Sequence, residues 1–220
     1  MLRKIRSYVR REGRITPGQQ LAFDEHWESF AIPFPATPDW SMVFNRDAPL
    51  VVDIGFGNGE SVVALAQAHP EWNIIGIEVY RPGVGYLFRQ LQEKQITNVR
   101  VICHDAVEVL QSAFAPQSLS RVQIFFPDPW PKKRHHKRRL IQPAFVALLA
   151  ERLKETGVLA LATDWQDYAE HMITVLSAET LLENRAATFS PRDEVRPLTK
   201  FECRGQHAGH EIWELNFTKR

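Results

Sequence analysis

The chain has 220 residues, 44% of them apolar and 24% charged, enough for one substantial domain that buries its core without disulfide or metal support. Two cysteines, Cys103 and Cys203, with no CxxC spacing argue against a disulfide scaffold and a standard structural zinc site, and no apolar run approaches the length of a membrane span. The net charge of +1 conceals two basic stretches: residues 1–14 carry +5 and residues 132–139 (KKRHHKRR) carry +6, leaving −10 over the rest of the chain.

Residues 1–45 show no long periodic pattern and contain Pro17, Pro33, Pro35 and Pro38. They read as a basic N-terminal arm, partly disordered or wrapped around a single domain at 46–220. The arm's start has no apolar h-region and is not a secretory signal, so a reducing, cytoplasmic setting is expected. From Leu50 the pattern becomes regular. Leu50–Ile54 is an apolar run that suits a buried parallel strand, and Glu60–His69 is helical up to Pro70. Asn73–Val79 forms a second strand, Val84–Lys94 a helix with Leu87, Phe88 and Leu91 on one stripe, and Val99–His104 a third strand. Asp105 opens the next helix, with Glu108 three residues on in a capping-box pattern. Arg121–Phe126 is a fourth strand, Arg138–Leu153 a long amphipathic helix, Gly157–Thr163 a fifth strand, and Gln166–Ser177 a helix capped by Asp164. Leu181–Ala187 is a candidate sixth strand. Trp213, Leu215 and Phe217 alternate with Glu214 and Asn216, as in a strand with one wet face. Strands alternating with helices imply a doubly wound parallel sheet, and the missing helix before the last strand implies that this strand returns antiparallel.

Ligands of such sheets bind beyond the carboxyl ends of the strands. Those ends carry Asp53-Ile-Gly55-Phe-Gly57-Asn-Gly59-Glu, then Glu78, Asp105, Phe126-Pro-Asp128-Pro-Trp130 and Thr163-Asp164. Asp105 and Asp164 are good helix caps, but a carboxylate at all five ends is hard to explain by capping alone. The glycine spacing is GxGxG, not the GxGxxG of dinucleotide sites. A pyrophosphate wants a helix N-terminus free of negative charge, whereas Asp53 and Glu60 flank this loop and suit a cationic ammonium and sulfonium. Glu78 can accept ribose hydroxyls, as the same acid does in NAD sites. In FPDPW two prolines fix a loop and hold Asp128 between them, although a tight turn with a packed Trp has the same composition. Directly behind it stand Lys132, Lys133, Arg134, Lys137, Arg138 and Arg139. A preorganised acid beside a basic cluster reads as a site that grips nucleic acid and presents one base; a solvated surface explains the cations alone.

These residues resemble the bacterial tRNA (guanine-N7-)-methyltransferases. The matching stretches are DIGFGNGE (Asp53–Glu60), GIEV (Gly76–Val79), NVRVICHDAVEVL (Asn98–Leu110), FFPDPWPKKRHHKRRL (Phe125–Leu140), ATDW (Ala162–Trp165) and RPLTKFECRGQHAGHEIWEL (Arg196–Leu215). FPDPWPKKRHHKRR and TKFExRG are specific, and the glycine loop is shared with many methyltransferases. Asp53 stands where the family often has Glu, which keeps the charge and shortens the reach. The resemblance implies a class I, Rossmann-like methyltransferase fold: a mostly parallel sheet of seven strands, the last antiparallel, with helices on both faces. It implies that S-adenosylmethionine donates a methyl group to N7 of the guanosine at position 46 in the tRNA variable loop. Asp53, Gly55, Gly57, Gly59, Glu78, Asp105 and Asp128 would then hold the donor, with Asp128 also the catalytic residue, a carboxylate at the donor–guanine junction that orients and stabilises charge. Lys132, Asp164, Thr199, Lys200, Phe201 and Glu202 would bind the substrate, and Arg134, His135, His136, Lys137, Arg138 and Arg139 would contact RNA.

Other classes fit less well. An NAD dehydrogenase is opposed by the GxGxG spacing and the basic run, and a non-catalytic tRNA-binding protein by the acids at every strand end. Cys203, His207 and His210 lack a fourth neighbour for zinc, so no metal is expected. Trp130 and Trp165 at the ligand edge suit either stacking on a base or packing. No obligatory protein partner is evident, and tRNA is the expected one.

Overall fold

Thr16 opens α1 (Pro17–Glu25) with a reciprocal capping box: its hydroxyl accepts the Gln19 N–H at 3.3 Å, and Gln19 Oε1 accepts the Thr16 N–H at 3.0 Å. The computed structural model describes residues 15–198, 202 and 211–220. The expectations for residues 1–14, for Thr199, Lys200 and Phe201, and for Cys203, His207 and His210 lie outside the described residues.

Residues 15–45, expected as an arm, carry three short helices: α1, α2 (Trp27–Phe30) and α3 (Trp40–Phe44). Each buries only one or two side chains or none, which is why no long period shows in the sequence. Phe23 is buried between Trp27 and Phe88, with ring centroids 4.8 and 5.9 Å away. Past α2, Ala31 pairs with Val101 and the Ile32 N–H donates to the Val101 carbonyl at 2.8 Å. Val101 lies on a sheet edge, so this segment covers backbone that would otherwise template pairing with another chain.

The remaining elements alternate as the sequence predicts: β1 (Leu50–Ile54), α4 (Glu60–Ala68), β2 (Asn73–Ile77), α5 (Arg81–Glu93), β3 (Val99–Ile102), α6 (Ala106–Ser112), β4 (Leu119–Phe125), α7 (Pro143–Arg152), β5 (Leu153–Thr163), α8 (Gln166–Ser177), β6 (Leu182–Asn184) and β7 (Trp213–Lys219). They build one seven-stranded sheet in the order β3-β2-β1-β4-β5-β7-β6. β1 to β5 are parallel, and β7 runs antiparallel between β5 and β6. Period-two alternation sends Val51, Ile74, Val99 and Val101 toward α1, α4 and α5, where they meet Val62, Leu87 and Phe88. Val52, Ile75, Val122, Leu159 and Leu215 point to the opposite face, against Val109, Leu149 and Met172 of α6, α7 and α8. Each large apolar side chain so buried contributes about 1.5–3 kcal/mol relative to exposure.

Several elements differ from the expected bounds, and β6 covers only Leu182–Asn184 of the expected Leu181–Ala187. The helix expected over 138–153 is two pieces: a 3-10 helix over Lys133–Arg138, then α7 from Pro143 to Arg152. Pro143 has no N–H and its ring blocks a helix arriving from upstream, so it can only start one. Leu153 and the residues after it join β5, beyond the expected start at Gly157.

Candidate active site

The sheet order makes β1 and β4 neighbours although they are not consecutive, and ligands of open parallel sheets sit at the carboxyl side of that switch point. Backbone hydrogen bonds tie the strand ends together there. Gly55 donates to Ile77 (2.8 Å), Glu78 to Ile102 (3.2 Å) and Phe126 to Ala162 (2.7 Å). Asp53, in the last pairs of β1, and Glu78, Asp105, Asp128 and Asp164, which follow the next four strands, therefore lie toward one edge of the sheet, as the sequence pattern predicts.

The loop after β1 turns on Gly55, Gly57 and Gly59, with φ of 78°, 60° and 78°, a region other residues rarely enter. Side chains at Gly55 or Gly57 would meet nothing within 4 Å, so the loop lines an open cradle. Its outer wall is packed closely: a Cβ on Gly83 of α5 would lie 2.1 Å from the Gly57 carbonyl oxygen. Glu78 organises the cradle. Its Oε2 accepts the Gly57 N–H at 2.9 Å, and its Oε1 accepts the Val79 and Tyr80 N–H groups at 2.7 and 3.1 Å. Burial raises its carboxyl above the usual range, these three N–H groups oppose the shift, and the charge of Asp128 adds to it.

Asp53 is 2% exposed and takes a 2.7 Å hydrogen bond from the Gln123 side chain on β4. Burial pushes its carboxyl up to about 7 against the pull of Gln123. Asp105 Oδ1 caps α6, accepting from Val107 (2.9 Å) and Glu108 (3.3 Å), so it has the structural role the sequence allowed alongside any ligand role. Asp164 is half-buried between β5 and α8 and is not the expected cap of that helix, whose N-cap is Trp165 with no side-chain hydrogen bond; Lys132 is exposed.

The FPDPW loop is braced at both ends. Phe126 and Trp130 have φ of 51° and 49°, left-handed values that surrounding contacts must hold. Arg139 fastens the loop, donating Nε to the Pro129 carbonyl (2.9 Å) while its Nη2 pairs with Asp167 on α8. Asp128 itself is exposed. Its charge raises Glu78 on the glycine-loop side and also reaches Tyr168 of α8, whose hydroxyl burial pushes up to about 12.

The cationic run divides. Lys132, Lys133, Arg134, Lys137 and Arg138 are exposed, and Arg138 lies 5.1 Å over the Trp130 ring while His135 meets that ring edge-on at 5.9 Å. Burial and the cations around it hold His135 below its ordinary value. His136 is half-buried beside Asp167. Arg139, expected among the RNA contacts, is turned inward and 3% exposed, so the structure takes it out of that exposed row.

Glu202, expected to bind substrate, is 1% exposed, with both carboxylate oxygens on Arg196. The sequence reading did not single out Gln123, Arg121, Arg196 or Glu214. A signal was present: Arg121 and Gln123 are two polar residues at period two inside an apolar strand, and such residues need partners. Among the described residues no cluster of His, Cys, Asp or Glu has the grouping of a metal site, and no helix is long and apolar enough to cross a membrane.

The family model described as "Putative methyltransferase" matches residues 47–215. Among solved structures, the 16S rRNA methyltransferase KamB superposes with a TM-score of 0.63 at 12% identity, covering 84% of this chain and 94% of that one. The 16S rRNA (adenine(1408)-N(1))-methyltransferase from Catenulisporales acidiphilia gives 0.58 at 14% identity, covering 86% and 95%. At such identities these structures establish the class I methyltransferase fold. A tRNA (guanine-N(7)-)-methyltransferase of Paraburkholderia xenovorans is 54% identical over 99% of this chain and 84% of its own length. One of Burkholderia vietnamiensis is 54% identical over 99% and 86%. With a methyltransferase sheet, an acidic cradle and relatives this similar over almost its full length, the chain belongs to the bacterial tRNA (guanine-N(7)-)-methyltransferase family.

Proposed function

We propose that the chain transfers a methyl group from S-adenosylmethionine to N7 of the guanine at position 46 of tRNA, in the cytoplasm and without an obligatory protein partner. The observation that carries this reading is the placement of Asp128. It is exposed on a braced loop, its charge reaches Glu78 beside the glycine cradle, and its loop is fastened to the exposed cations through Trp130 and Arg138.

The residues fit the donor. Open space over Gly55 and Gly57 leaves room for a ligand to approach the backbone, Asp53 offers a carboxylate to an ammonium, and Glu78 Oε2, with one backbone donor, retains capacity for a ribose hydroxyl. Gly59 and Asp105 complete this side. When bound, the donor supplies a methyl carbon on a cationic sulfur that leaves with the bonding electron pair. Guanine N7 carries a free lone pair, so no proton is removed before attack. The positive charge ends on the guanine ring. Asp128 holds the guanine edge and stabilises that charge as it develops, and the rest of catalysis is in-line positioning. Lys132, Asp164 and the run Thr199-Lys200-Phe201-Glu202 take the substrate side. Arg134, His135, His136, Lys137 and Arg138 grip the backbone, where the cations lose affinity with salt.

The test is incubation with methyl-labelled S-adenosylmethionine and an unmodified tRNA transcript, then nucleoside analysis. Label in 7-methylguanosine, lost when position 46 is changed to adenosine, is expected. Label elsewhere, or none in RNA, contradicts the reading.

A further inference from the structure

A buried ion cluster lies at the root of the FPDPW loop, centred on Arg196, a residue given no role so far. Arg196 is 2% exposed. Its Nη2 donates to Glu202 Oε1 and Glu214 Oε1, both at 2.6 Å, and its Nε to Glu214 Oε1 at 3.1 Å. Its Nη1 pairs with the second Glu202 oxygen. The same guanidinium lies over the rings of Phe125 and Phe126, 5.6 and 5.7 Å from their centroids. One cation thus touches the first residue of the loop that carries Asp128, a residue of β7, and the residue that ends the Thr199–Glu202 run.

Stability alone is a weak reason for this arrangement. Removing three charges from water is costly, and buried ion pairs are often replaceable by well-packed apolar groups without loss. What a planar fork adds is direction: it fixes two carboxylates and stacks on rings at once. The cluster also continues toward the cradle. Glu214 Oε2 accepts the Asp193 N–H (2.7 Å), Asp193 pairs with Arg121, Arg121 Nε donates to Gln123 Oε1 (3.3 Å), and Gln123 donates to Asp53 (2.7 Å). An unbroken series of polar contacts therefore joins Glu202 to the base of the glycine loop.

We infer that Arg196 is a positioning residue for methyl transfer: bound to Glu202 and Glu214 on one side and lying over Phe126 on the other, it fixes the start of the loop that carries Asp128. This rests on the tRNA reading above. In it the Glu202 carboxylate serves as an anchor for Arg196.

The experiment compares wild type with Arg196→Met, Arg196→Lys, Glu202→Gln and the double variant Arg196→Met/Glu202→Gln. Single-turnover transfer to tRNA is measured beside the Kd of S-adenosylmethionine, the Kd of tRNA, and Tm. Arg196→Met is expected to transfer about 100-fold more slowly, the scale of a misplaced reacting group. Both Kd values should stay within about threefold, so that the loss lies in the chemical step. Arg196→Lys should fall between, and the double variant should be no slower than Arg196→Met, because the two residues act as one unit. A wild-type rate in folded Arg196→Met, a loss wholly in tRNA affinity, or multiplied losses in the double variant overturns the inference. If Arg196→Met does not fold, Glu202→Gln decides: about tenfold slower transfer with unchanged Kd values supports it, and an unchanged rate overturns it. Wild type that binds donor and tRNA yet labels no guanine contradicts the tRNA reading itself, a different result from any of these.

Discussion

Gln123 donates to Asp53 at 2.7 Å across the β1–β4 pair, two buried side chains facing each other in register at the switch point of the sheet. The carboxyl nonetheless titrates near 7, because burial outweighs that hydrogen bond. The unfolded chain releases this proton near 3.8, so folding takes up a proton between the two values. The resulting stability is present at acid pH and is lost as pH rises through about 7. Asp53→Asn should therefore raise Tm at pH 8 by more than it does at pH 5. A cationic ammonium needs the carboxylate form, so the affinity of the wild type for S-adenosylmethionine should strengthen as pH rises from 6 to 8. Titration calorimetry across that range checks this, and a flat profile would show that Asp53 does not meet the donor.

Gly57 and Gly83 separate two effects in one loop. A Cβ at Gly57 enters open space but at a φ of 60°, so Gly57→Ala should cost stability of about 1–2 kcal/mol and fill the cradle. At Gly83 the Cβ would stand 2.1 Å from the Gly57 carbonyl, so Gly83→Ala must move the loop itself. Both should lose donor binding, with the larger drop in Tm for Gly83→Ala. Donor binding undiminished in Gly57→Ala would remove the cradle from the account.

The cationic run should split by function. Replacing Arg134, Lys137 or Arg138 with alanine should lower the slope of log affinity for tRNA against log salt by about one each, with Tm unchanged. Arg139→Ala should do the reverse, costing about 2–4 kcal/mol through the lost brace on Pro129 and leaving the salt slope alone. Equal effects of Arg138→Ala and Arg139→Ala on the slope would contradict the inward position of Arg139.

The strands of the sheet were legible because each is an apolar run ended by glycine, proline or an acid, and a parallel sheet buried on both faces needs such runs. The antiparallel β7 was legible from the period of Trp213, Leu215 and Phe217. The break at Pro143 was written in the chain but outweighed by the amphipathic pattern around it. The helices of residues 15–45 were hidden by their length, although Thr16 and Gln19 spelled out a capping box. At the site, the acids of the strand ends could be placed from sequence because β-α units put them on one edge. Their partners could not: Arg196 reaches Glu214 across 18 residues and Asp53 reaches Gln123 across 70, and nothing local specifies such pairs.

On the proposed reading, Asp128 meets the guanine where the donor's methyl group arrives. Single-turnover methyl transfer by Asp128→Asn, measured with the Kd values of S-adenosylmethionine and tRNA, tests it most directly. A rate lower by about 100-fold or more is expected, with both ligands still bound normally. A wild-type rate of 7-methylguanosine formation in this variant would contradict it.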